Sequence, residues 1–250
     1  MTKVLISGCN GKMGKVITGL ICDRENAEVV AGVDFNDTPN DMYPVYKTIA
    51  QCKEDVDVII DFSNPAVLPD LLAYAQEKNI PLVIGTTGYS DEQKEAIRAA
   101  SENTAVFFTY NMSLGINLLA ELAKTAAKIL GDDFDIEIIE KHHNQKIDAP
   151  SGTALMLADA ICEVEDHPMH YEYDRHAKRQ KRTKDEIGLH TVRGGTIVGE
   201  HEIIFAGRDE IITLSHSARS KELFAVGAVN AAMFMCGKPA GLYSMKDLIG

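Results

Sequence analysis

Residues 4–14 read "VLISGCNGKMG": an apolar run that breaks into Gly8, Gly11 and Gly14 and then into a helix-forming segment. A pyrophosphate needs such a turn. Glycine lets the backbone bend sharply and come close to the ligand with no Cβ in the way. The helix that follows offers N–H groups and a partial positive charge. The spacing G-x-x-G-x-x-G is one residue longer than the usual dinucleotide fingerprint, so its neighbours must carry the reading. "KVLIS" before it reads as a strand and "KMGKVITGLICD" after it as a helix. A second strand, "EVVAGVD", ends at Asp34, where a carboxylate is placed to accept hydrogen bonds from a ribose diol. The competing reading is a structural glycine turn with an incidental aspartate.

The same alternation continues outward. "VDVIIDFS", "PLVIGTT" and "AVFFTYN" read as strands, separated by the helices "PAVLPDLLAYAQEKN" and "SDEQKEAIRAASEN". Short apolar strands between amphipathic helices predict a parallel sheet covered on both faces, an α/β domain of the Rossmann type. "VIGTTG" (83–88) and "TYNMS" (109–113) follow two of these strands, at the carboxyl edge where open α/β sheets bind ligands.

After about residue 113 the pattern changes. A long helix, "LGINLLAELAKTAAKIL", leads into the strand "FDIEIIEKHH" and a further helix, "TALMLADAICEV". Three alternating segments, "GLHTVRGG", "GEHEIIFAG" and "DEIITLSHSA", read as antiparallel strands of an open mixed sheet, and "KELFAVGAVNAAMFMC" as a closing helix.

Within that second part, residues 140–154 read "EKHHNQKIDAPSGTA". Pro150 suits a first helical turn, which would leave the N–H groups of Ser151, Gly152 and Thr153 ready to bind a carboxylate or phosphate. His142, His143 and Lys146 approach the same anion. Imidazole passes protons near neutral pH, and an ammonium neutralises developing charge or donates a proton. Adjacent histidines are poor joint ligands for one metal, and no metal site is expected.

The chain has 250 residues, 45% of them hydrophobic, enough for a sizeable core in one large domain or two smaller ones. Its net charge of −12 argues against nucleic acid or an anionic membrane as a partner. "RHAKRQKRTK" (175–184) lacks interleaved aromatics and reads as a solvated excursion. No apolar run reaches the ~20 residues a membrane span needs, and the amino terminus enters a glycine turn rather than a signal-peptide cleavage site. The five scattered cysteines, without CxxC, point to reduced thiols in a cytoplasmic protein.

Residues 140–154 closely resemble the E-x-H-H-x-x-K-x-D-A-P-S-G-T-A signature of the 4-hydroxy-tetrahydrodipicolinate (dihydrodipicolinate) reductases. "GCNGKMG", "VIGTTG", "YNMSLGIN", "RGGTIVGEH", "FAGRDE" and "SHSARSKELFAVGA" extend the likeness along nearly the whole chain. The resemblance implies a Rossmann domain, residues 1–113 and 221–250, that binds NADH or NADPH. It also implies a central α/β domain, residues 114–220, whose open sheet assembles a homotetramer. The implied reaction is reduction of a cyclic dicarboxylate, after loss of water, in the diaminopimelate branch of lysine synthesis.

By the same resemblance His142 is the proton donor/acceptor and Lys146 the proton donor, with His143, Gly152 and Thr153 binding substrate. Cofactor positions are Gly8, Cys9, Asn10, Gly11, Lys12, Met13, Asp34, Gly85, Thr86, Thr87, Thr109, Tyr110, Asn111 and Met112. The chain departs from the family where Lys221 stands for an arginine before the last helix. No arginine follows Asp34 to hold a 2′-phosphate, which leaves Lys12 for that part. Two rival readings stay open: another two-domain reductase such as an amino-acid dehydrogenase, and a non-catalytic dinucleotide sensor.

Overall fold

The alternation at the amino terminus forms β1 (Thr2–Ser7), α1 (Lys12–Cys22), β2 (Ala27–Val33), β3 (Val45–Tyr46), β4 (Val58–Asp61), α2 (Leu68–Lys78), β5 (Leu82–Ile84), α3 (Asp91–Ser101) and β6 (Ala105–Phe108) in the computed structural model, which describes residues 1–250. The chain continues through α4 (Leu114–Leu130), β7 (Asp135–His142), α5 (Gly152–Cys162), β8 (His170–Glu172), β9 (Glu186–Arg193), β10 (Gly199–Ala206) and β11 (Ile211–Ala218). It ends with α6 (Leu223–Met235), β12 (Gly241–Tyr243) and α7 (Met245–Ile249). Two compact units result, Met1–Ser113 with Glu222–Gly250, and Leu114–Lys221.

The first unit holds a seven-stranded sheet in the order β12-β6-β5-β4-β1-β2-β3, every pairing parallel. Leu5, Ile59, Leu82 and Ile84 pack on one face against Leu71, Ala75 and Ile97 of α2 and α3. Each fully buried Leu or Ile among them contributes about 1.5–3 kcal/mol. The other face takes α1 and α6, and α6 is built of small residues there: Ala225, Gly227, Ala228, Ala231 and Ala232 are buried. Connections run to opposite sides from β1 and β4, so a crevice opens at the carboxyl ends of these neighbours. That places the glycine loop after β1 at the sheet's binding edge.

The second unit holds a five-stranded mixed sheet, β11-β10-β7-β9-β8. Its inner face (Ile136, Ile138, Ile187, Leu189, Ile203, Phe205) packs on α4 and α5. One expectation is corrected here. β10 and β11 are antiparallel neighbours, but β9 pairs with β7 in parallel and does not touch β10 in the ladder. α5 lies between β7 and β9 in the chain, and a helical crossover returns a strand parallel to its predecessor.

The basic run after β8 lies against acidic residues of β7, β8 and β9. Arg182 reaches Glu137 (3.1 Å) and Asp135 (3.2 Å), Lys184 reaches Asp135 (3.2 Å), Arg175 pairs with Glu186 and Lys178 with Glu172. These cations are used inside the unit. No helix is long and apolar enough to cross a membrane.

Candidate active site

In the first unit the chain turns at Gly8 (φ +82°), a conformation L side chains rarely adopt, and a Cβ there would overlap the Phe62 carbonyl. Gly14, in the first turn of α1, is held as tightly: a Cβ would overlap Gly8 O and lie 2.6 Å from Cys9 Cα and O. The loop and helix are thus in backbone contact. Gly11 is the N-cap of α1, and no side chain caps the helix's N–H groups, the arrangement that receives a phosphate.

Beside it Ser7, Gly8, Gly11, Asp34, Phe35, Lys47, Phe62, Ser63 and Asn64 are among the residues lining a pocket of ≈ 210 Å³. A larger hollow of ≈ 1040 Å³ opens at the other edge of the sheet, near Thr2, Lys78 and Cys236. It meets helix C-termini, whose partial negative charge disfavours a phosphate, so the smaller pocket is the dinucleotide candidate.

Asp34 already accepts from the backbone N–H of Asn10 and of Asn36, both at 3.0 Å. The Asn10 amide donates to Asn36 O (2.6 Å) and Thr38 O (3.1 Å), tying the loop after β2 to the glycine loop. Cys9 is buried against Gly32 and Tyr43, its thiol pushed up to about 11, mainly by burial and then by the Asp34 charge. Cys9 therefore offers a ligand only its backbone.

Gly85 has a packing reason, since a Cβ would meet the Phe62 ring. Thr86 accepts from Ser63 N at 2.8 Å, and Thr87 follows it at the end of β5. Past β6, Thr109 Oγ1 donates to Asn111 O (3.5 Å), Tyr110 is exposed, and Asn111 and Met112 are buried. Lys12 and Met13 open α1, with Lys12 exposed. The sequence reading missed Lys47, which lines the pocket with Asp34 although they stand 13 residues apart. Only the parallel pairing of β3 on β2 brings them together.

The second unit gathers the other motif. Period-2 alternation puts Glu140 and His142 on one face of β7, and both are buried. His142 Nδ1 lies 2.6 Å from Glu140 Oε2. Arg193 of β9 forks onto the same carboxylate, Nη1 to Oε2 at 2.8 Å and Nη2 to Oε1 at 2.7 Å. Oε1 also accepts from Ser151 N (3.0 Å) and Thr191 Oγ1 (3.2 Å).

Ser151 is the N-cap of α5, its hydroxyl accepting from Ala154 N. The expected anion site is corrected accordingly. Pro150 precedes the cap, and the Ser151 N–H is spent on Glu140. Gly152 and Thr153 occupy the first helical positions, where the helix itself provides no acceptor. A Cβ on Gly152 would meet nothing within 4 Å, so the space beside this residue is open. Lys146 lies 2.8 Å from Asp148, whose carboxyl it holds below its ordinary range, and His143 is half-buried beside it.

Burial alone would push Glu140 up. Arg193, His142 and the Ser151 N–H overcome it and hold the carboxyl at about 2. Burial pushes His142 down, against the opposing pull of Glu140. His201 of β10 stands edge-on to His142 (ring centroids 5.3 Å apart) and shares a hydrogen bond with Ser151 Oγ at 3.1 Å. Its burial, and then the proximity of His142, lower it from 6.5 to about 4.

A folded-state histidine held that low has a consequence for stability. Between about pH 6.5 and 4 the unfolded chain takes up a proton that the folded chain refuses. Stability present above pH 6.5 is therefore lost as the pH falls, by about 3 kcal/mol for this group. Glu140 prolongs the loss from about pH 4.5 towards 2. Urea midpoints measured from pH 7 to 4 are expected to fall, and to fall less in His201→Gln. A flat profile across that window would contradict the buried, neutral His201.

Comparison with known proteins identifies the family. Residues 2–112 match the family model for the dihydrodipicolinate reductase N-terminus and residues 115–249 that for its C-terminus. The 4-hydroxy-tetrahydrodipicolinate reductase of Caldanaerobacter subterraneus subsp. tengcongensis is 53% identical over 249 residues, 100% of this chain and 98% of that protein. The Clostridium tetani enzyme of the same name is 50% identical, covering 100% of this chain and 97% of its own.

Among solved structures, dipicolinate-bound dihydrodipicolinate reductase from Paenisporosarcina sp. TG-14 superposes with a TM-score of 0.80 at 30% identity, covering 98% of this chain and 97% of that one. Aspartate dehydrogenase from Thermotoga maritima, at 12% identity and a TM-score of 0.54, shares the fold alone. With a glycine turn between β1 and α1, an imidazole and a lysine before the start of α5, and full-length matches to one family, the chain belongs to the 4-hydroxy-tetrahydrodipicolinate reductases, oxidoreductases of the diaminopimelate route to lysine.

Proposed function

We infer that this chain reduces 4-hydroxy-tetrahydrodipicolinate, with loss of water, to tetrahydrodipicolinate at the expense of NADH or NADPH. The observation that carries the reading is the shared carboxylate of Glu140. Its two oxygens bind His142 Nδ1 and the N-cap of α5, so a proton-transfer group and an anion-binding helix start are neighbours by construction. A cyclic dicarboxylate needs both. A coupled assay, with the preceding synthase making fresh substrate and NAD(P)H oxidation followed, tests it; dinucleotide binding without turnover would favour a sensor instead.

The glycine loop fits a dinucleotide, because the space a Cβ would fill at Gly8 and Gly14 is closed by backbone and α1 begins uncapped. Backbone groups from Gly8 to Met13 would hold the pyrophosphate and Asp34 the ribose. Gly85–Thr87 and Thr109–Met112 would hold the nicotinamide half. The bound nicotinamide supplies a hydride equivalent to ring carbon 4. In the second unit Gly152, Thr153 and His143 bind substrate carboxylate, and Lys146 adds neutralising charge. Reduction of the conjugated imine leaves negative charge, which Lys146 or His142 quenches by donating a proton. The uncovered face of the second sheet, with Ile139 and Ile204, is our candidate for a homotetramer contact, in a cytoplasmic enzyme.

Pyridine-2,6-dicarboxylate is expected to compete with substrate, and pyridine-2-carboxylate to bind about 1.5–3 kcal/mol more weakly, the scale of one charge-assisted hydrogen bond. Equal inhibition by the two would remove the two-pronged anion site. For the cofactor, NADH is expected to be at least as good as NADPH in kcat/KM, since Asp34 meets a 2′-phosphate as a like charge. Lys12 and Lys47 offset part of that cost. Asp34→Asn is expected to shift the ratio towards NADPH, and Lys12→Ala or Lys47→Ala towards NADH. A tenfold NADPH preference in the unmodified chain would take Asp34 off the ribose.

A further inference from the structure

Proton transfer by His142 leaves the most heavily bonded side chain beside it without a role. Glu140 is 1% exposed, yet its carboxylate accepts five hydrogen bonds from β7, β9 and the start of α5. A buried carboxylate is costly unless it is paired and its lone pairs are filled. The Arg193 fork would suffice for the charge. The contacts to His142 and Ser151 go further than neutralisation requires.

Each of those two contacts has a chemical consequence. An ionised carboxylate only accepts hydrogen bonds, so the ring nitrogen facing Glu140 must carry its hydrogen. That makes neutral His142 the Nδ1–H tautomer and leaves Nε2 as the atom that exchanges a proton. Nε2 also has room. Gly199 lies opposite, and a Cβ there would come within 3.1 Å of it. The other carboxylate oxygen takes the Ser151 N–H, so one rigid group sets the imidazole and the N-terminus of α5 at a fixed separation. Arg193 extends the hold by donating to Asp148 O (2.6 Å), next to the carboxylate that binds Lys146.

We propose that Glu140, held by Arg193, is the positioning residue of the proton-transfer step: it fixes His142 in the Nδ1–H tautomer and locks that ring in register with the anion-binding start of α5. This rests on the reading that His142 transfers a proton. In the step, imidazolium His142 gives the hydrogen on Nε2 to the reduced substrate and becomes the neutral Nδ1–H form. The Nδ1 hydrogen stays where it is, Glu140 remains ionised throughout, and solvent restores the Nε2 proton.

A structural counter-ion for Arg193 would look similar in the fold, so the test must separate the two roles. Glu140→Gln keeps the shape but sets an NH₂ against Arg193 in either orientation, and against His142 or the Ser151 N–H as well. Loss of such an orienting partner is expected to lower kcat by ~10–10²-fold, with KM for the dinucleotide unchanged. The charged or titratable groups facing His142 are Glu140 on its own strand, Lys146 in the following loop, Arg193 on β9 and His201 on β10. Glu140 is the one anion among them. Without it imidazolium loses its proton more readily, so the fall of kcat with rising pH moves to lower pH.

In a His142→Ala background the same substitution is expected to change kcat less than twofold, because its effect runs through that ring. An equal loss in both backgrounds, or a kcat within threefold of wild type with an unmoved pH limb, overturns the proposal. Should Glu140→Gln fail to fold, nitrogen-15 NMR of the imidazoles in the unaltered enzyme still decides. The Nδ1–H tautomer of neutral His142 is expected, and the Nε2–H tautomer refutes it. Near-normal kcat in His142→Ala itself would instead sink the proton-transfer assignment and leave the tautomer result standing.

Discussion

Lys146→Ala and His142→Ala are each expected to lower kcat by roughly 10²–10⁴-fold, the range for losing a positioned proton donor. The two groups are held differently, and their losses should differ in kind. His142 is buried and fixed at Nδ1 by Glu140, so alanine removes a preorganised group that nothing mobile replaces. Lys146 is partly exposed and paired with Asp148 at 2.8 Å. Its removal leaves Asp148 without its cation beside the proposed dicarboxylate site, which should raise KM as well as lower kcat. His143→Ala and Thr153→Ala should act mainly through KM, having removed ground-state binding. Steady-state kinetics at saturating cofactor separates these patterns. A Lys146→Ala enzyme within a few-fold of wild-type kcat would end its assignment as a proton donor.

The parts of the fold that the sequence made legible are those with strong periodicity. The helix from Leu114 to Leu130 and the strand–glycine–helix opening carry their own start, stop and apolar spacing. β3, β8 and β12 are only two or three residues long, too short for an alternating pattern to register; a ladder partner defines them. The wrong pairing expected for β9 has a similar origin, since alternation tells which residues face inward but not which neighbour lies alongside.

The candidate site divides in the same way. His142, Lys146 and the helix start share one short segment, so they could be read together. Glu140 was within reach too, because on a strand it must share a face with His142. Arg193, Thr191 and His201 could not be found that way. They arrive from β9 and β10, and only the register Glu140↔Thr191 and Glu140↔His201 brings them to the site.

Gly14→Ala is the most discriminating change for the cofactor half. Its Cβ would overlap Gly8 O and press on Cys9 Cα and O, all backbone atoms that no side-chain rotation can clear. α1 must then back away from the loop. Forcing a methyl into such a contact costs about 1–3 kcal/mol, and here the displaced groups are those proposed to cradle the pyrophosphate. KM is therefore expected to rise by about 10–10²-fold, each tenfold being about 1.4 kcal/mol. NADH and NADPH should suffer equally, because both carry the pyrophosphate and only one carries the 2′-phosphate. The ratio of their kcat/KM values should stay put, unlike the shift expected for Asp34→Asn. Gly19, on the same helix, provides the control. A Cβ there meets nothing within 4 Å, so Gly19→Ala should leave both KM values unchanged and stabilise α1 by up to about 1 kcal/mol. Normal KM values in Gly14→Ala would show that the loop after β1 is a turn of the fold and not the phosphate cradle.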